Sequence, residues 1–131
     1  MSTRIQTTTD ALALLAPHSR HLEYETLQAL FLGADGTLIQ HATVSRGTAD
    51  QTSLCIRTVL GTALAMGAQA IIVAHNHPNG NPEPSVLDVR ATYRLLECAR
   101  AVGLVLVDHL VITATDHRSM RAMGMLPDSS A

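Results

Sequence analysis

The chain contains no lysine and no tryptophan, and aromatic rings are scarce: Phe31, Tyr24 and Tyr93. Without lysine, no side-chain amine can form a Schiff base with a carbonyl substrate. So few aromatics leave no platform for stacking the bases of a single-stranded nucleic acid. Cys55 and Cys98 fall on separate predicted helices without C-x-x-C spacing, which reads as two reduced core thiols in a cytoplasmic protein. The missing cysteine pair also argues against a zinc deaminase. No apolar run approaches the roughly 18 residues that cross a bilayer. The first residues, Met1 to Thr9, lack the apolar stretch of a signal peptide, so no membrane partner is expected. The formal net charge is −2, and the nine basic residues, all arginine, are scattered from Arg4 to Arg121. A nucleic-acid module concentrates its basic residues on one face, so nucleic acid is a disfavoured partner, though left open.

What is present is enough apolar residue for a core, 47% of 131 residues, in what reads as one compact domain. A short opening helix is expected over Asp10 to Leu15. Tyr24 to Leu32 and Thr37 to Ser45 read as strands joined by a hairpin at Gly33-Ala34-Asp35-Gly36. Ser53 to Met66 has helical spacing, with Leu54, Ile56, Val59, Leu60, Ala63 and Leu64 apolar, and stops at Gly67. Ala70 to Ala74 is a buried strand ending at His75. After a loop through Pro84, a helix runs from Ser85 to about Val102, with Val86, Val89, Tyr93, Leu96 and Ala99 as its apolar positions. Leu104 to Val107 and His109 to Thr113 make one bent strand or two short ones, and the tail from Asp116 to Leu126 pairs or forms a short helix. The fold class is mixed α/β.

The chemistry concentrates at His75-Asn76-His77-Pro78 and Asp88. Residues two apart in a strand point to the same side, so His75 and His77 can face one point. Asp88 sits in the first turn of the next helix, its side chain tilted back toward the helix start. Two histidines and a carboxylate are a usual ligand set for catalytic zinc, with the fourth position left to water. Ser85 and Asp88 also fit a helix capping pair. One can cap while the other binds metal.

His75-x-His77-Pro78 followed by Ser85-x-x-Asp88 resembles the JAMM (MPN+/JAB) metal signature. The longer string through Asn79-Gly80 and Pro82-x-Pro84 resembles its RadC branch, as do Leu30-Phe31-Leu32, Arg46-Gly47-Thr48 and Asp108-His109-Leu110-Val111-Ile112. The resemblance spans about 22–126. It implies a JAMM/MPN-like, cytidine-deaminase-like fold, a mixed sheet sandwiched between helices, with 1–21 as an extension carrying the short helix and 127–131 as a tail. RadC relatives commonly carry an N-terminal helical domain, for which no room is expected in these 131 residues. The resemblance further implies hydrolysis of a peptide or isopeptide bond in a peptide or protein substrate, with Zn2+ held by His75, His77 and Asp88. A catalytic glutamate is implied near the first strand. Periodicity leaves Glu23 and Glu25 both open, and the alignment of Leu30-Phe31-Leu32 favours Glu25. In that scheme Glu25 takes the proton of an activated water and Ser85 donates to the oxyanion.

The alternatives are a non-catalytic MPN-type binding module and a metal-dependent protein associated with DNA repair, as the branch's historical label suggests. A homo-oligomer is left open. His109 divides evenly between a structural core role and a place behind the site or beside the substrate. His18, His21, His41 and His117 are read as surface residues. Two departures from the RadC pattern stand out. Asn79 occupies a position where serine is usual. Ile56-Arg57-Thr58 keeps only the arginine of the relatives' Pro-Arg-Glu stretch, which bears on substrate specificity rather than on metal.

Overall fold

Every residue of strand β1 (Thr26–Leu32) is buried, because the strand lies inside the sheet and both of its faces are covered. A computed structural model describes residues 3–47 and 54–127. β1 pairs antiparallel with β2 (Leu38–Arg46) on one side and with β3 (Ala70–Asn76) on the other. β3 runs parallel to β4 (Val105–Ile112), and β4 pairs antiparallel with β5 (His117–Ser119). The mixed five-stranded sheet has the order β2-β1-β3-β4-β5. Among the described residues three helices, α1 (Thr8–Ser19), α2 (Ile56–Ala65) and α3 (Val86–Ala101), complete a mixed α/β domain consistent with a JAB/MPN-like fold.

Strand alternation divides the core. Leu27, Ala29, Phe31, Ile71 and Val73 point to one side, where they pack with Val59 and Ala63 of α2 and Ala91, Leu95 and Ala99 of α3. Leu30, Leu32, Ile72 and Ala74 point to the other, against Ala11, Leu15 and Ala16 of α1. The first residues belong to this second layer: Ile5 is buried there, and its N–H donates to the Gly36 carbonyl at 2.8 Å. α1 is longer than Asp10 to Leu15. It begins at a capping box formed by Thr7 and Asp10 and carries Pro17 within it.

The sequence from Leu104 to Thr113 forms one strand with a defect. Ile71 pairs with Leu106 and Ile72 with Asp108, so Val107 is an extra residue in β4. An inserted residue reverses the facing of everything after it. Leu104 and Leu106 face the α2–α3 layer, whereas Leu110 and Ile112 face α1. His109, opposite Val73, is thereby turned toward α3.

α3 matches its expected span, with Ser85 as N-cap. Its buried face differs from the expected one. Asp88, Ala91, Thr92, Leu95 and Ala99 are inside, while Val86 is 68% and Tyr93 44% exposed. The buried face is turned away from the one that apolar periodicity assigns to the core, and two polar residues, Asp88 and Thr92, lie on it. α2 is shorter than expected, beginning at Ile56 after Leu54 and Cys55 in left-handed conformation; Ser53 lies outside the described residues. Leu64, expected on its apolar face, is exposed. Cys55 and Cys98 are half-buried and pack against the core as thiols. The tail supplies β5 and then a turn. No helix among the described residues is long and apolar enough to cross a membrane.

Candidate metal centre

β3 is extended up to Asn76, which fixes the facing of His75. His75 continues the side occupied by Ile71 and Val73, toward the first turn of α3. His77 follows the strand, and its N–H donates to the Ile112 carbonyl at 2.9 Å, which keeps the chain in line past β3. The two imidazoles meet edge to face, with their Nε2 atoms 2.8 Å apart. Asp88 arrives from α3 and is 1% exposed. Its Oδ1 lies 3.3 Å from His75 Nε2 and its Oδ2 lies 3.2 Å from His77 Nε2.

The remaining polar atoms establish which edges of the rings face the centre. His77 Nδ1 lies 2.8 Å from the Asn81 carbonyl, which can only accept, so Nδ1 carries a proton. In neutral His77 the lone pair is therefore on Nε2. Ser85 and Asp88 form a full capping box: the Asp88 N–H donates to Ser85 Oγ at 3.0 Å and the Ser85 N–H donates to Asp88 Oδ2 at 2.8 Å. Asp88 thus both caps α3 and faces the histidines: its Oδ2 accepts from the Ser85 N–H and lies beside His77 Nε2, while its Oδ1 faces His75 Nε2. Its Oδ1 is buried and has no hydrogen-bond partner among the described residues. An orphaned carboxylate oxygen in such a place is costly, and beside two Nε2 atoms it points to a cation. Donors about 2.0–2.1 Å from one tetrahedral ion stand about 3.3 Å apart. Asp88 meets each histidine at about this spacing, through a different oxygen in each case.

Glu25 also comes close to the two histidines. It precedes β1 and is half-buried, and ligand atoms of Glu25, His75 and His77 all lie within 4.8 Å of one another. Glu23 does not join them. It is exposed and lines a cleft of about 320 Å³ that Asn76, His77, Pro78 and Arg20 also line. A larger cavity of about 540 Å³ opens at the other end of the sheet, beside Gly33, Gln69 and Gly103, and none of the cluster residues lines it.

Three residues that the sequence reading passed over or left undecided build the surroundings. Asn76 points away from its flanking histidines. Its Oδ1 accepts from the N–H and hydroxyl of Thr26, at 2.7 and 2.9 Å, and its Nδ2 donates to the Tyr24 carbonyl at 2.8 Å. With the Gly47 N–H donating to the Glu25 carbonyl at 2.8 Å, the backbone on either side of Glu25 is pinned. His109 Nε2 is 2.6 Å from His75 Nδ1, and His109 Nδ1 is 2.6 Å from the hydroxyl of Thr92. The period of two that unites His75 with His77 also sends Asn76 the other way, so its signal was present in the sequence. Nothing comparable marked Thr92.

Electrostatics follow the packing. Burial pushes the Asp88 carboxyl up, but hydrogen bonds from His75 and His77, the charge of His75 and the Ser85 N–H hold it well below the usual carboxylate range. The hydrogen bond to Asp88 raises the His77 imidazole above its ordinary value against the opposing effect of burial, and the Asn81 carbonyl and the charges of Asp88 and Glu25 add to the rise. His109 is driven well below its ordinary value, first by burial and then by the charge of His75.

A mixed sheet with two strand-end histidines and a helix-start carboxylate around one point defines a candidate metal-binding α/β domain. Residues 5–125 match the RadC-like JAB domain. The chain belongs to that family. It is 38% identical over 112 residues to a UPF0758 protein of Symbiobacterium thermophilum, covering 86% of this chain and 48% of that relative. It is 39% identical over 110 residues to a UPF0758 protein of Neisseria meningitidis serogroup C, covering 82% and 49%. A UPF0758 protein of Staphylococcus carnosus is 34% identical over 130 residues, covering 98% and 58%. The chain thus spans about half the length of the curated relatives it matches.

Proposed function

We propose that this domain is a zinc-dependent hydrolase of peptide or isopeptide bonds. The observation that carries the reading is the buried Asp88 Oδ1, unpartnered among the described residues and facing His75 Nε2, with Glu25 and His77 gathered around the same histidine. His75, His77 and Asp88 would hold the ion. Asp88 is preferred to Glu25 as third ligand because it approaches both imidazoles and is buried, whereas Glu25 is half-open to solvent. A zinc ion with one open position brings the pKa of bound water to about 7 and polarises a carbonyl.

In this reading Glu25 acts as proton carrier. It takes a proton from the attacking water as the carbon–oxygen bond forms and returns it to the leaving nitrogen as the carbon–nitrogen bond breaks. Ser85 Oγ accepts the Asp88 N–H, which leaves the hydroxyl proton to be donated to the oxyanion. The helix start at Ser85 favours negative charge there. The partner is a peptide or protein substrate in the cytoplasm.

Metal analysis of the purified protein tests the centre. The parent is expected to carry about one zinc per chain and His77→Ala none. Glu25→Gln is expected to keep zinc and lose peptide or isopeptide cleavage, with Glu23→Gln close to the parent. Loss of zinc in Glu25→Gln would make Glu25 a ligand instead. Equal cleavage by Glu25→Gln and the parent would remove it from the mechanism. A binding module without turnover would keep zinc and bind protein without cleaving it. DNA processing would show as steeply salt-dependent DNA binding, which the scattered arginines disfavour.

A further inference from the structure

We infer that Thr92 and His109 are positioning residues for the cation site, forming a proton-ordered chain that locks His75 with its Nε2 lone pair toward the ion. The inference rests on the metal-site reading above and explains features that the ligand set alone does not. His109 is fully buried, on the strand whose extra residue at Val107 turns it toward α3.

The order of protons follows from the partners. Thr92 Oγ lies 2.6 Å from the Asp88 backbone carbonyl, and a carbonyl can only accept. The single hydroxyl proton of Thr92 therefore goes to Asp88. The other neighbour of the hydroxyl besides His109, Met120 Sδ at 3.6 Å, is a weak acceptor and does not compete. With that proton committed, the 2.6 Å contact to His109 requires His109 Nδ1 to be the donor. His109 is 0% exposed, and among the described residues no carboxylate is hydrogen-bonded to its ring. Burial disfavours the charged ring. A neutral ring has one proton, so Nε2 of His109 is the acceptor in its 2.6 Å contact with His75 Nδ1. His75 is then the Nδ1–H tautomer, with its lone pair on Nε2, the atom 3.3 Å from Asp88 Oδ1.

The chain closes on itself. It starts at the backbone of one proposed ligand, Asp88 on α3, and ends at another, His75 on β3. It therefore fixes both the tautomer of His75 and the approach of its strand to the helix. Metal-bound histidines usually pass their second N–H to a carboxylate or carbonyl, and losing that partner costs about 10–100-fold in metal affinity. Here the acceptor is another histidine, which must itself be held in one tautomer, and Thr92 does this.

Two measurements test the chain. Long-range proton–nitrogen NMR of the imidazoles, on the metal-free protein, is expected to show His109 neutral and protonated on Nδ1, and His75 carrying a proton on Nδ1. His109 protonated on Nε2 overturns the inference, and this measurement requires no variant. Competition titration with zinc is expected to show Thr92→Val binding about 10–100-fold more weakly than the parent, with Thr92→Ser recovering most of the loss. Affinity of Thr92→Val equal to the parent overturns the inference. If the parent binds no zinc at all, the metal-site reading fails, and the NMR tautomer of His109 alone decides the proton chain.

Discussion

Asn76 offers no atom to the proposed ion, yet it holds the start of β1 against the end of β3. Its side chain takes the place of the next pair of backbone bonds after the Leu27–His75 pairing. Asn76→Ala leaves the buried Thr26 N–H without its partner, at a cost of about 1–3 kcal/mol. It also releases the segment carrying Glu25. The expected outcome is a lowered urea midpoint and slower turnover with zinc content retained. The histidines set a pH response in the metal-free protein. His109 and His41 have depressed values, so between those values and 6.5 the unfolded chain binds more protons than the folded one. Their contribution is complete above 6.5 and is lost as the pH falls. His77 is raised, so its contribution is complete below 6.5 and is lost as the pH rises through the folded value. Urea midpoints are expected to peak near pH 6.5, and zinc, which holds His77 unprotonated, should remove the alkaline decline. A monotonic profile in the metal-free protein contradicts these assignments.

Among the elements, β3 and α3 were legible in the sequence because each has a strong local signal: an apolar run ending at His75, and a capping pair opening a helix. The inward face of α3 was not. Asp88 and Thr92 lie on it, so hydrophobic spacing selected Val86 and Tyr93, which are exposed. The extra residue at Val107 was also hidden. In the run from Leu104 to Leu106 and on to Val111, apolar residues occupy both parities, and only the pairing with β3 reveals the switch. The choice between Glu23 and Glu25 depended on where β1 begins. It begins after both, so strand alternation could not separate them. The β1–β2 connection supplies a test at this scale. Gly36 has a φ of +84°, and a Cβ there would meet the Ile5 carbonyl oxygen at 2.9 Å. Gly36→Ala is expected to destabilise the domain by about 1–3 kcal/mol, read by chemical denaturation.

For the molecule as a whole, residues before β1 are part of the folded unit. Ile5, Ala11, Leu15 and Ala16 close one side of the sheet, and Arg20 Nη1 donates to the Thr113 carbonyl at 3.0 Å. The expected extension, 1–21, therefore contributes to the core. A chain beginning at residue 22 would expose Leu30, Ile72 and Leu110 and is expected to lose its cooperative thermal transition; an unchanged melting curve would show that α1 is dispensable. The sheet holds a further consequence. Glu25 reaches the histidines only because β1 lies against β3 in one alignment, with Leu27 opposite His75 at one end and Leu32 opposite Ala70 at the other. Slippage by a single rung would carry the carboxylate off target while every participant stayed chemically intact. Substitutions at the far end of these two strands can therefore silence the domain without touching anything near its centre.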